Sequence, residues 1–402
     1  MGMIDKIINA EKFRCTGCTA CYSGCPTSAI TMRSDQEGFL YPAVDYNKCV
    51  ECGLCKKICP TIGESSVFFD EDSKVEAYAA YNKDSDVRFK SSSGGIFSLM
   101  AEEVLAQHGV VYGAAMEEDL VVRHIKVESL VELEKLRGSK YVQSIVGDSF
   151  RSCKEMLEKG RVVLFSGTPC QIGGLKAYLR KDYENLYTVD IICHGVPSPL
   201  VWAKYIEEEN AAQPIGEIQF RSKTTGWKDY CFRINYKNGE FLEMPTMTNV
   251  YMAGFLHNLY LRASCYKCHY KSIKRCSDIT IADFWGIENI MPEMDDDLGT
   301  SLVFPQNQKG MRLLDGIREK IIIKQADARK AVNYNISMIE SATKNRKRKI
   351  FFEKLSGDGS ASLSDLIKKY AVYHSLRKKL SIALRSKLKS IFGSKKKSSP
   401  KN

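Results

Sequence analysis

The stretch VVLFSGTPCQIGGLKAYL (residues 162–179) decides the fold of the larger part of the chain. A short apolar run of β type is interrupted by Ser-Gly and Thr-Pro, and apolar residues then recur at helical spacing as far as Leu179. The stretch therefore predicts a strand, a turn and a helix. Cys170 lies at the start of that helix, where it could be a nucleophile, a metal ligand or a buried thiol. The stretch alone does not choose among these roles.

Strands and helices of the same kind are predicted on both sides of this stretch. We expect strands in VEAYAAYN (75–82), VVYGAAM (110–116), YTVDIIC (187–193) and DITIADFWG (278–286). Ser198 is expected to cap a helix that has Pro199 in its first turn. The Asn-Gly pair at 238–239 predicts a β-hairpin. Together these elements predict a mixed α/β domain.

Two stretches near the start of the chain form an internal repeat. CTGCTACYSGCP (15–26) and CVECGLCKKICP (49–60) share the spacing C-x2-C-x2-C-x3-C-P, offset by 34 residues. Bacterial ferredoxins with two 4Fe-4S clusters have this spacing, and the fourth cysteine of each run binds the other cluster. Structural zinc would need only four ligands, in pairs. We therefore expect an α+β ferredoxin-like domain at residues 1–65. Its clusters would be bound by Cys15, Cys18, Cys21 and Cys59, and by Cys49, Cys52, Cys55 and Cys25.

Length and composition limit the class of protein. The chain has 402 residues, 44% of them hydrophobic, which is enough to bury a large core. No apolar run approaches the roughly 18 residues of a membrane span, and the first residues contain no signal-peptide core. Fifteen cysteines without an export signal favour metal or redox work over a disulfide framework. We therefore expect a cytoplasmic protein.

A phosphate site is one interpretation of the loop SSSGG (91–95). Its hydroxyls and unhindered backbone N–H groups precede a predicted helix, which suits a phosphate, and the alternative is a plain helix cap. Lys140 could pair with a phosphate or be solvated. Neither G-x-G-x-x-G nor G-x4-G-K-S/T occurs in the chain, so a Rossmann or P-loop site is not expected.

Seven cysteines lie outside the ferredoxin repeat, and three interpretations compete for them. Cys170 would be a nucleophile with His194 as its base. A zinc site would use Cys265, Cys268, His269 and Cys276. A third 4Fe-4S cluster would use Cys170, Cys193, Cys265 and Cys268. Spacing alone does not decide among these interpretations.

Six motifs occur in a fixed order along the larger part of the chain. They are SSSGGIFS, RGSKYVQS, LFSGTPCQIGGLKAYL, DIICHGVPSP, CYKCHY and DITIADFWG. In this order they make residues 74–340 similar to the beta subunit of the coenzyme F420 hydrogenase/dehydrogenase family, with an N-terminal part at 74–155 and a C-terminal part at 156–340. The ferredoxin domain ahead of them resembles the electron-input subunit of deazaflavin-dependent dehydrogenases.

The resemblance implies a mixed α/β flavin domain that binds FAD. A flavin can stand between a hydride, which carries two electrons, and a cluster, which takes one. The resemblance also implies that a third cluster is bound by Cys170, Cys193, Cys265 and Cys268. We leave Cys153, Cys231 and Cys276 as core or unassigned thiols. We expect the cofactor contacts in the matching motifs, at Ser92, Ser93, Gly94, Gly95, Lys140, Tyr141, Gly167 and Thr168. No catalytic residue is singled out.

The prediction that results is an iron–sulfur flavoprotein oxidoreductase. It would pass electrons between a hydride donor or acceptor, such as reduced coenzyme F420 or another organic substrate, and 4Fe-4S clusters. A related reductase of chlorophyll derivatives in plants does not use the deazaflavin, so the resemblance does not fix the substrate. The alternative is an electron-transfer adaptor with no substrate of its own, serving a partner enzyme such as one of surface-polysaccharide synthesis.

Residues 341–402 are predicted to form a basic, helical C-terminal tail. They contain 18 Lys and Arg against 3 Asp and Glu, a net charge of +15, whereas the whole chain has +11. The rest of the chain is thus slightly acidic, and we expect no nucleic-acid partner. Ser362 with Asp365 resembles a capping box before an amphipathic helix. Such a helix packs on the domain, stays solvated, or contacts an acidic partner or the inner face of the cytoplasmic membrane.

Overall fold

The computed structural model describes residues 4–63, 75–357 and 362–371. The strands are β1 (Ile30–Ser34), β2 (Leu40–Val44), β3 (Ala77–Asn82), β4 (Val110–Met116), β5 (Val122–Val127), β6 (Val163–Gly167), β7 (Leu186–Ile191), β8 (Ile215–Ser222), β9 (Cys231–Tyr236), β10 (Phe241–Pro245), β11 (Ile279–Asp283), β12 (Ser301–Pro305) and β13 (Ile321–Ala326). The helices are α1 (Ile4–Ala10), α2 (Ala20–Ser23), α3 (Leu54–Lys57), α4 (Ser85–Lys90), α5 (Ile96–Ala106), α6 (Leu130–Leu133), α7 (Ser149–Glu158), α8 (Pro169–Leu179), α9 (Pro199–Ala212), α10 (Val250–Leu256), α11 (Ile287–Ile290), α12 (Gln308–Gly316), α13 (Ala328–Tyr334), α14 (Arg348–Leu355) and α15 (Leu363–Ala371).

Residues 4–63 form a small ferredoxin part around a two-stranded sheet. β1 and β2 pair antiparallel, and Ile4, Ile8 and Phe39 fill the core beside them. The sequence repeat is also a repeat of conformation. Thr19 and Gly53 precede α2 and α3 at equivalent positions, with φ of 67° and 69°. Each short helix then presents a cysteine of its run towards the interior.

The body is built on a mixed sheet of eight strands in the order β13-β3-β12-β11-β7-β6-β4-β5. Its centre is parallel, because β11, β7, β6 and β4 pair parallel with their neighbours in that order. The flanking strands β5, β12, β3 and β13 pair antiparallel. The mixed α/β fold predicted for the body is confirmed. Strands from 74–155 and from 156–340 belong to one sheet, so these two parts are not separate domains.

The stretch 162–179 forms the strand, turn and helix that its pattern predicts. Successive side chains of a strand point to opposite faces of its sheet. Val163 and Phe165 accordingly pack in one core and Leu164 in another, which places helices on both faces of the sheet. Pro169 starts α8, where its missing N–H is not needed.

A second sheet, of three strands in the order β10-β9-β8, lies beside the mixed sheet. The predicted hairpin forms between β9 and β10, where Tyr236 N–H donates to Glu240 O at 2.8 Å. Gly239 has a φ of +91°, a conformation that favours glycine. Ser198 caps α9 by accepting from Val201 N–H at 3.2 Å, as predicted.

The core of the body includes residues beyond 340, in the segment predicted as the basic tail. Phe351, Phe352, Leu363 and Ile367 are buried in the same core as α9 and α10. Ser362 accepts from Asp365 N–H at 3.1 Å, at the cap expected there. The described start of the predicted tail helix is therefore packed on the body, and residues 372–402 lie outside the described part. None of the described helices is long and apolar enough to cross a membrane.

Candidate functional site

A cavity of about 300 Å³ opens at the carboxyl ends of the central parallel strands. Ligands in open α/β sheets gather at this edge, and small-molecule pockets span roughly 300–1,000 Å³. The strand ends supply Ser166, Ile191 and Asp283. Ten further lining residues are apolar, namely Ile96, Phe97, Ala114, Leu136, Val142, Val189, Ile192, Val196, Ile281 and Ala282, and the others are polar residues or glycines. The cavity therefore suits an organic group with both an apolar and a polar part.

The polar groups on one side of this cavity form a continuous chain of hydrogen bonds. Gln171 Nε2 donates to Ser144 Oγ at 2.9 Å, and Ser144 Oγ lies 2.9 Å from His124 Nδ1. His124 Nε2 lies 3.0 Å from Ser166 O, which can only accept, so Nε2 is protonated and Nδ1 accepts from Ser144. Burial lowers the pKa of His124 to about 4. The imidazole is therefore neutral near pH 7.

Most residues predicted to contact a cofactor line this cavity. They are Ser92, Ser93, Gly95, Lys140, Tyr141, Gly167 and Thr168. The backbone before α5 reaches the cavity through Gly95, whose φ is +80°. Ile96, Phe97 and Ser98 line it as well, so the amino end of an eleven-residue helix faces this space. Unpaired N–H groups at such an end favour an anion.

Gly94 and Lys140 have other roles than those expected from the sequence. Gly94 does not line the cavity, because its N–H donates to Ser301 Oγ at 3.0 Å and a Cβ there would lie 2.5 Å from Ala80 O. It is a glycine because it lies against β3 and β12. The ammonium of Lys140 donates to Arg137 O at 2.6 Å and to Lys135 O at 2.9 Å. Burial lowers the pKa of Lys140 to about 7. Lys140 thus uses two of its three N–H donors to stabilise its own loop.

A second cavity brings together the four cysteines proposed for a third cluster. It is lined by Cys170, Cys193, Cys265 and Cys268. Cys170 begins α8 after β6, and Cys193 follows the adjacent parallel strand β7. Val196 N–H lies 3.4 Å from Cys265 Sγ, and Thr168 Oγ1 lies 3.2 Å from Cys170 Sγ. Hydrogen bonds of this kind to sulfur are typical of iron–sulfur sites. Four cysteines thus line one space, and four is the number of thiolates that a 4Fe-4S cluster takes.

The geometry does not favour a nucleophilic Cys170. Burial, then the neighbouring Cys268, raises the pKa of Cys170 to about 12, whereas a nucleophilic thiol needs a lowered pKa. His194 is not arranged as its base. Its Nε2 lies 2.6 Å from Asn258 Oδ1, and its Nδ1 lies 3.5 Å from Ser337 Oγ.

The zinc interpretation also finds no support. Neither His269 nor Cys276 lines the cysteine cavity, and Cys276 is buried in the core around α7 and α8. Within residues 4–63, 75–357 and 362–371 no group of three or more His, Cys, Asp or Glu side chains is placed to hold a single metal ion. Cys153 and Cys231 are buried like Cys276, as expected of core thiols.

The eight cysteines of the ferredoxin repeat lie in two separate sets. One small cavity is lined by Cys15, Cys18, Cys21 and Cys59, and another by Cys25, Cys49, Cys52 and Cys55. The fourth cysteine of each run thus lies with the first three cysteines of the other run. Ala29 N–H donates to Cys25 Sγ at 3.3 Å. Both sets fit a 4Fe-4S cubane.

The cavities follow one another through the molecule. Val196 lines both the first cavity and the cysteine cavity of the body, and Thr16 lines both the latter and the set of Cys15. Gly174 of α8 lies against Cys18, since a Cβ on it would be 2.6 Å from Cys18 Cβ. The two ferredoxin sets meet at α2, which holds Cys21 and precedes Cys25.

A larger groove of about 560 Å³ lies beside the first cavity. The two are adjacent because residues 137–140 line both. Seven basic and three acidic residues line the groove, namely Lys90, Lys135, Arg137, Lys140, Arg221, Lys223 and Arg233, and Glu117, Glu134 and Glu217. Arg221 is buried, and its Nε and Nη2 have no hydrogen-bond partner among the described residues. The Nη1 of Arg221 already pairs with Asp283, and Lys223 donates to three backbone carbonyls. What the groove offers an anionic group is therefore its excess of basic residues and the two open nitrogens of Arg221.

Sequence reasoning missed several of these residues. His124 is a lone histidine in the strand VVRHIKV, and no local signal separates it from a core histidine. The sequence of β8 likewise contains no pattern that distinguishes Arg221 from an ordinary strand arginine. Arg262 lines the cavity of the four body cysteines. The one sequence feature that could have indicated this is its position three residues before Cys265.

Two family models match the chain. Residues 160–331 match the C terminus of the beta subunit of coenzyme F420 hydrogenase/dehydrogenase, and residues 14–62 match the 4Fe-4S dicluster domain. For residues 160–331 the first match confirms the resemblance inferred from the ordered motifs, and the second confirms the identification of the cysteine repeat.

Individual relatives are more distant. The F subunit of the F(420)H(2) dehydrogenase of Methanosarcina mazei is 24% identical over 166 residues, which are 39% of this chain and 46% of that protein. Coenzyme F420-dependent sulfite reductase of Methanocaldococcus jannaschii is 27% identical over 197 residues, 48% of this chain and 29% of that protein. The chain thus spans less than half of the length of either relative. A chain in the F420-reducing NiFe hydrogenase complex from Methanosarcina barkeri aligns with 67% of this chain and 93% of its own length, with 17% identity and a TM-score of 0.44.

Proposed function

Since the chain joins a 4Fe-4S dicluster ferredoxin domain to the C-terminal domain found in beta subunits of the coenzyme F420 hydrogenase/dehydrogenase family, we propose that it is an iron–sulfur flavoprotein oxidoreductase. It exchanges electrons between an organic hydride donor or acceptor and a redox partner protein. The relatives named for F420 make reduced coenzyme F420 the first donor to test. Free buried thiols and cysteine cluster sites suit the reducing cytoplasm.

FAD, when bound, would supply the conversion between two-electron and one-electron chemistry. The lining of the first cavity supports its binding there. The apolar residues would contact its ring, and the amino end of α5 with the hydroxyl of Ser92 would face its phosphates. Neutral His124, held by Ser144 and Ser166 O, would offer no charge to the ring. Gln171 fixes Ser144, so the polar edge of the cavity is preorganised.

The succession of cavities is the observation that supports this function most strongly. The first cavity adjoins the four body cysteines, and these adjoin the set of Cys15. Each of the three cysteine sets fits one cubane, and Cys52, in the set farthest along this series, is exposed at the surface. A series of this kind suits electron passage between a buried organic site and a protein docked outside.

The basic groove is the proposed entry of the hydride donor. Its shared wall, residues 137–140, brings an occupant next to the first cavity. The unpartnered nitrogens of Arg221 would bind an anionic group of the donor. A buried guanidinium binds carboxylate or phosphate strongly, since the hydrogen bonds are charge-assisted. The donor is therefore proposed to be an organic anion.

The test is anaerobic reduction of the purified full-length chain by separate donors. We expect bound FAD and roughly twelve irons per chain, at four per cluster. Reduced coenzyme F420, NADH and NADPH are then added in turn, and flavin bleaching is followed by absorbance. Bleaching by the deazaflavin supports the assignment. An oxidised flavin with that donor, but not with another, would assign a different substrate.

The same preparation separates the enzyme from an adaptor without a substrate of its own. An adaptor would retain its ferredoxin clusters and bind no flavin even after reconstitution with FAD. Flavin content after reconstitution thus decides between the two.

A further inference from the structure

Arg262 is a fully buried cation between two of the cysteine sets. Its Nε donates to Cys15 O at 2.9 Å and its Nη2 to Leu40 O at 2.9 Å. The same Nη2 lies 3.6 Å from Cys15 Sγ. Arg262 also lines the cavity of the four body cysteines. One guanidinium thus reaches both the ferredoxin part and the body.

This guanidinium lies against the ring of Tyr41, whose centroid is 4.3 Å from the guanidinium carbon. Among the described residues no aspartate or glutamate forms an ion pair with Arg262. A buried cation is costly unless an anion lies beside it. Here the anionic groups at hand are the cysteine thiolates.

The backbone leaves room for this arrangement. A Cβ on Gly17 would lie 2.8 Å from Arg262 Nη1, and Gly17 has a φ of +72°. Gln143 Oε1 accepts from the same Nη1 at 3.1 Å, and Gln143 donates in turn to Thr16 O at 3.1 Å. The guanidinium is therefore fixed against the Cys15 loop from several sides.

We propose that Arg262 tunes the reduction potential of the cluster bound by Cys15, Cys18, Cys21 and Cys59. Reduction adds an electron to a group that is already negative. A fixed positive charge and a hydrogen bond at one of its sulfurs stabilise the reduced form and raise the potential. Removing the guanidinium should lower the potential of this cluster. The proposal depends on the dicluster domain and not on FAD or the donor, so its failure would leave the proposed activity standing.

The chain contains its own reference for this effect. The cluster site of Cys25, Cys49, Cys52 and Cys55 has no contact with Arg262.

Arg151 offers a matched control among the side chains. It also joins the body to the ferredoxin part, since its Nη2 donates to Tyr22 O at 2.7 Å and its Nε to Ser23 O at 3.0 Å. Arg151 pairs with Asp148 and makes no contact with a cysteine sulfur.

The experiment is a redox titration followed by EPR on the full-length, cluster-loaded protein and on Arg262→Gln, Arg262→Lys and Arg151→Gln. We expect Arg262→Gln to shift one ferredoxin cluster to lower potential and to leave the other unchanged. Arg262→Lys keeps the charge and should give a smaller shift, and Arg151→Gln should give none. Unchanged potentials in Arg262→Gln with full iron content would overturn the proposal, as would equal shifts of both ferredoxin clusters.

A measurement on the unsubstituted protein covers the case in which Arg262→Gln loses iron. Arginine labelled with 15N in its guanidino group is incorporated, and the reduced ferredoxin clusters are examined by pulsed EPR. A guanidino nitrogen 3.6 Å from Cys15 Sγ should give a hyperfine coupling on one of the two clusters. Absence of that coupling would overturn the proposal.

Discussion

Gly174 and Cys18 are in direct contact across the boundary between the body and the ferredoxin part. A Cβ on Gly174 would lie 2.6 Å from Cys18 Cβ and 2.9 Å from Cys18 Sγ. Gly174 is in the middle of α8, where alanine would ordinarily favour the helix by about 1 kcal/mol. Glycine occupies this position because a cysteine of the ferredoxin part approaches the helix backbone.

We expect Gly174→Ala to disturb the set of Cys15, Cys18, Cys21 and Cys59. Overpacking at a fixed contact costs about 1–3 kcal/mol, more than the gain in helix propensity. The melting temperature should fall, and the EPR signal of one ferredoxin cluster should change. Gly316→Ala is the control, because the nearest atom to its Cβ would be Glu103 Cγ at 3.8 Å. Equal melting temperatures and unchanged spectra in both variants would contradict this prediction.

Cys170→Ser should remove about four irons per chain, the content of one cubane. The three remaining body cysteines cannot hold a complete cluster, whereas the ferredoxin sets do not include Cys170. Iron analysis with EPR of the ferredoxin signals gives the measurement. Cys153→Ser, at a buried thiol outside all three cysteine sets, should keep its iron. Unaltered iron in Cys170→Ser would show that Cys170 is not a ligand.

His124 should make stability depend on pH below neutrality. Its pKa is about 4 when folded and about 6.5 in an unfolded chain. Between these values the unfolded chain binds the proton more readily, so stability falls as pH decreases from 6.5 towards 4. The full effect is about 3 kcal/mol, at 1.36 kcal/mol for each pH unit. Melting temperatures from pH 7.5 to 5 should fall less steeply in His124→Gln. Parallel curves for the two proteins would refute this assignment.

Arg221→Gln should weaken the binding of an anionic hydride donor. A hydrogen bond to a charged group contributes about 1.5–3 kcal/mol, so the donor concentration that half-reduces the flavin should rise by roughly tenfold or more. Iron content should stay as in the unsubstituted protein, and flavin content is measured alongside it, because Arg221 also pairs with Asp283 of the first cavity. Arg329→Gln, at an exposed arginine of α13 outside the groove, serves as the control. Equal donor affinity in all three proteins would exclude the groove as the donor site.

Local patterns in the sequence predicted the parts of the fold that depend on local geometry. The apolar run at 110–116 forms β4 with those bounds, and 162–179 forms β6 and α8. The cysteine repeat predicted which cysteines lie together, because in runs of this spacing the fourth cysteine joins the three cysteines of the other run. The charge pattern placed the start of the tail at residue 341 and left its packing open, and the apolar face of α15 belongs to the core, as in the alternative of a helix packed on the domain.

Contacts between distant residues were beyond the sequence patterns. Arg262 and Cys15 are 247 positions apart, and Arg348 and Glu37 are 311 apart. Neither pair produces a periodic pattern in the sequence, because each contact depends on how whole helices and strands pack against one another. The expected role of Gly94 failed for the same reason. A Ser-Gly loop can face a ligand or a neighbouring strand, and only the packing of β3 and β12 decides between them.

The attachment of the ferredoxin part determines how the molecule can meet a partner. Arg348 forms a two-pronged ion pair with Glu37, Nη1 lying 2.6 Å from Oε1, and Arg151 and Arg262 bind backbone carbonyls of the same part. These contacts hold the ferredoxin part in place, so it is not a tethered shuttle that swings between donor and acceptor. Of the fifteen cysteines, only Cys52 is exposed. A redox partner is therefore expected to dock near Cys52, and solvent viscosity should slow its arrival but not any transfer within the chain.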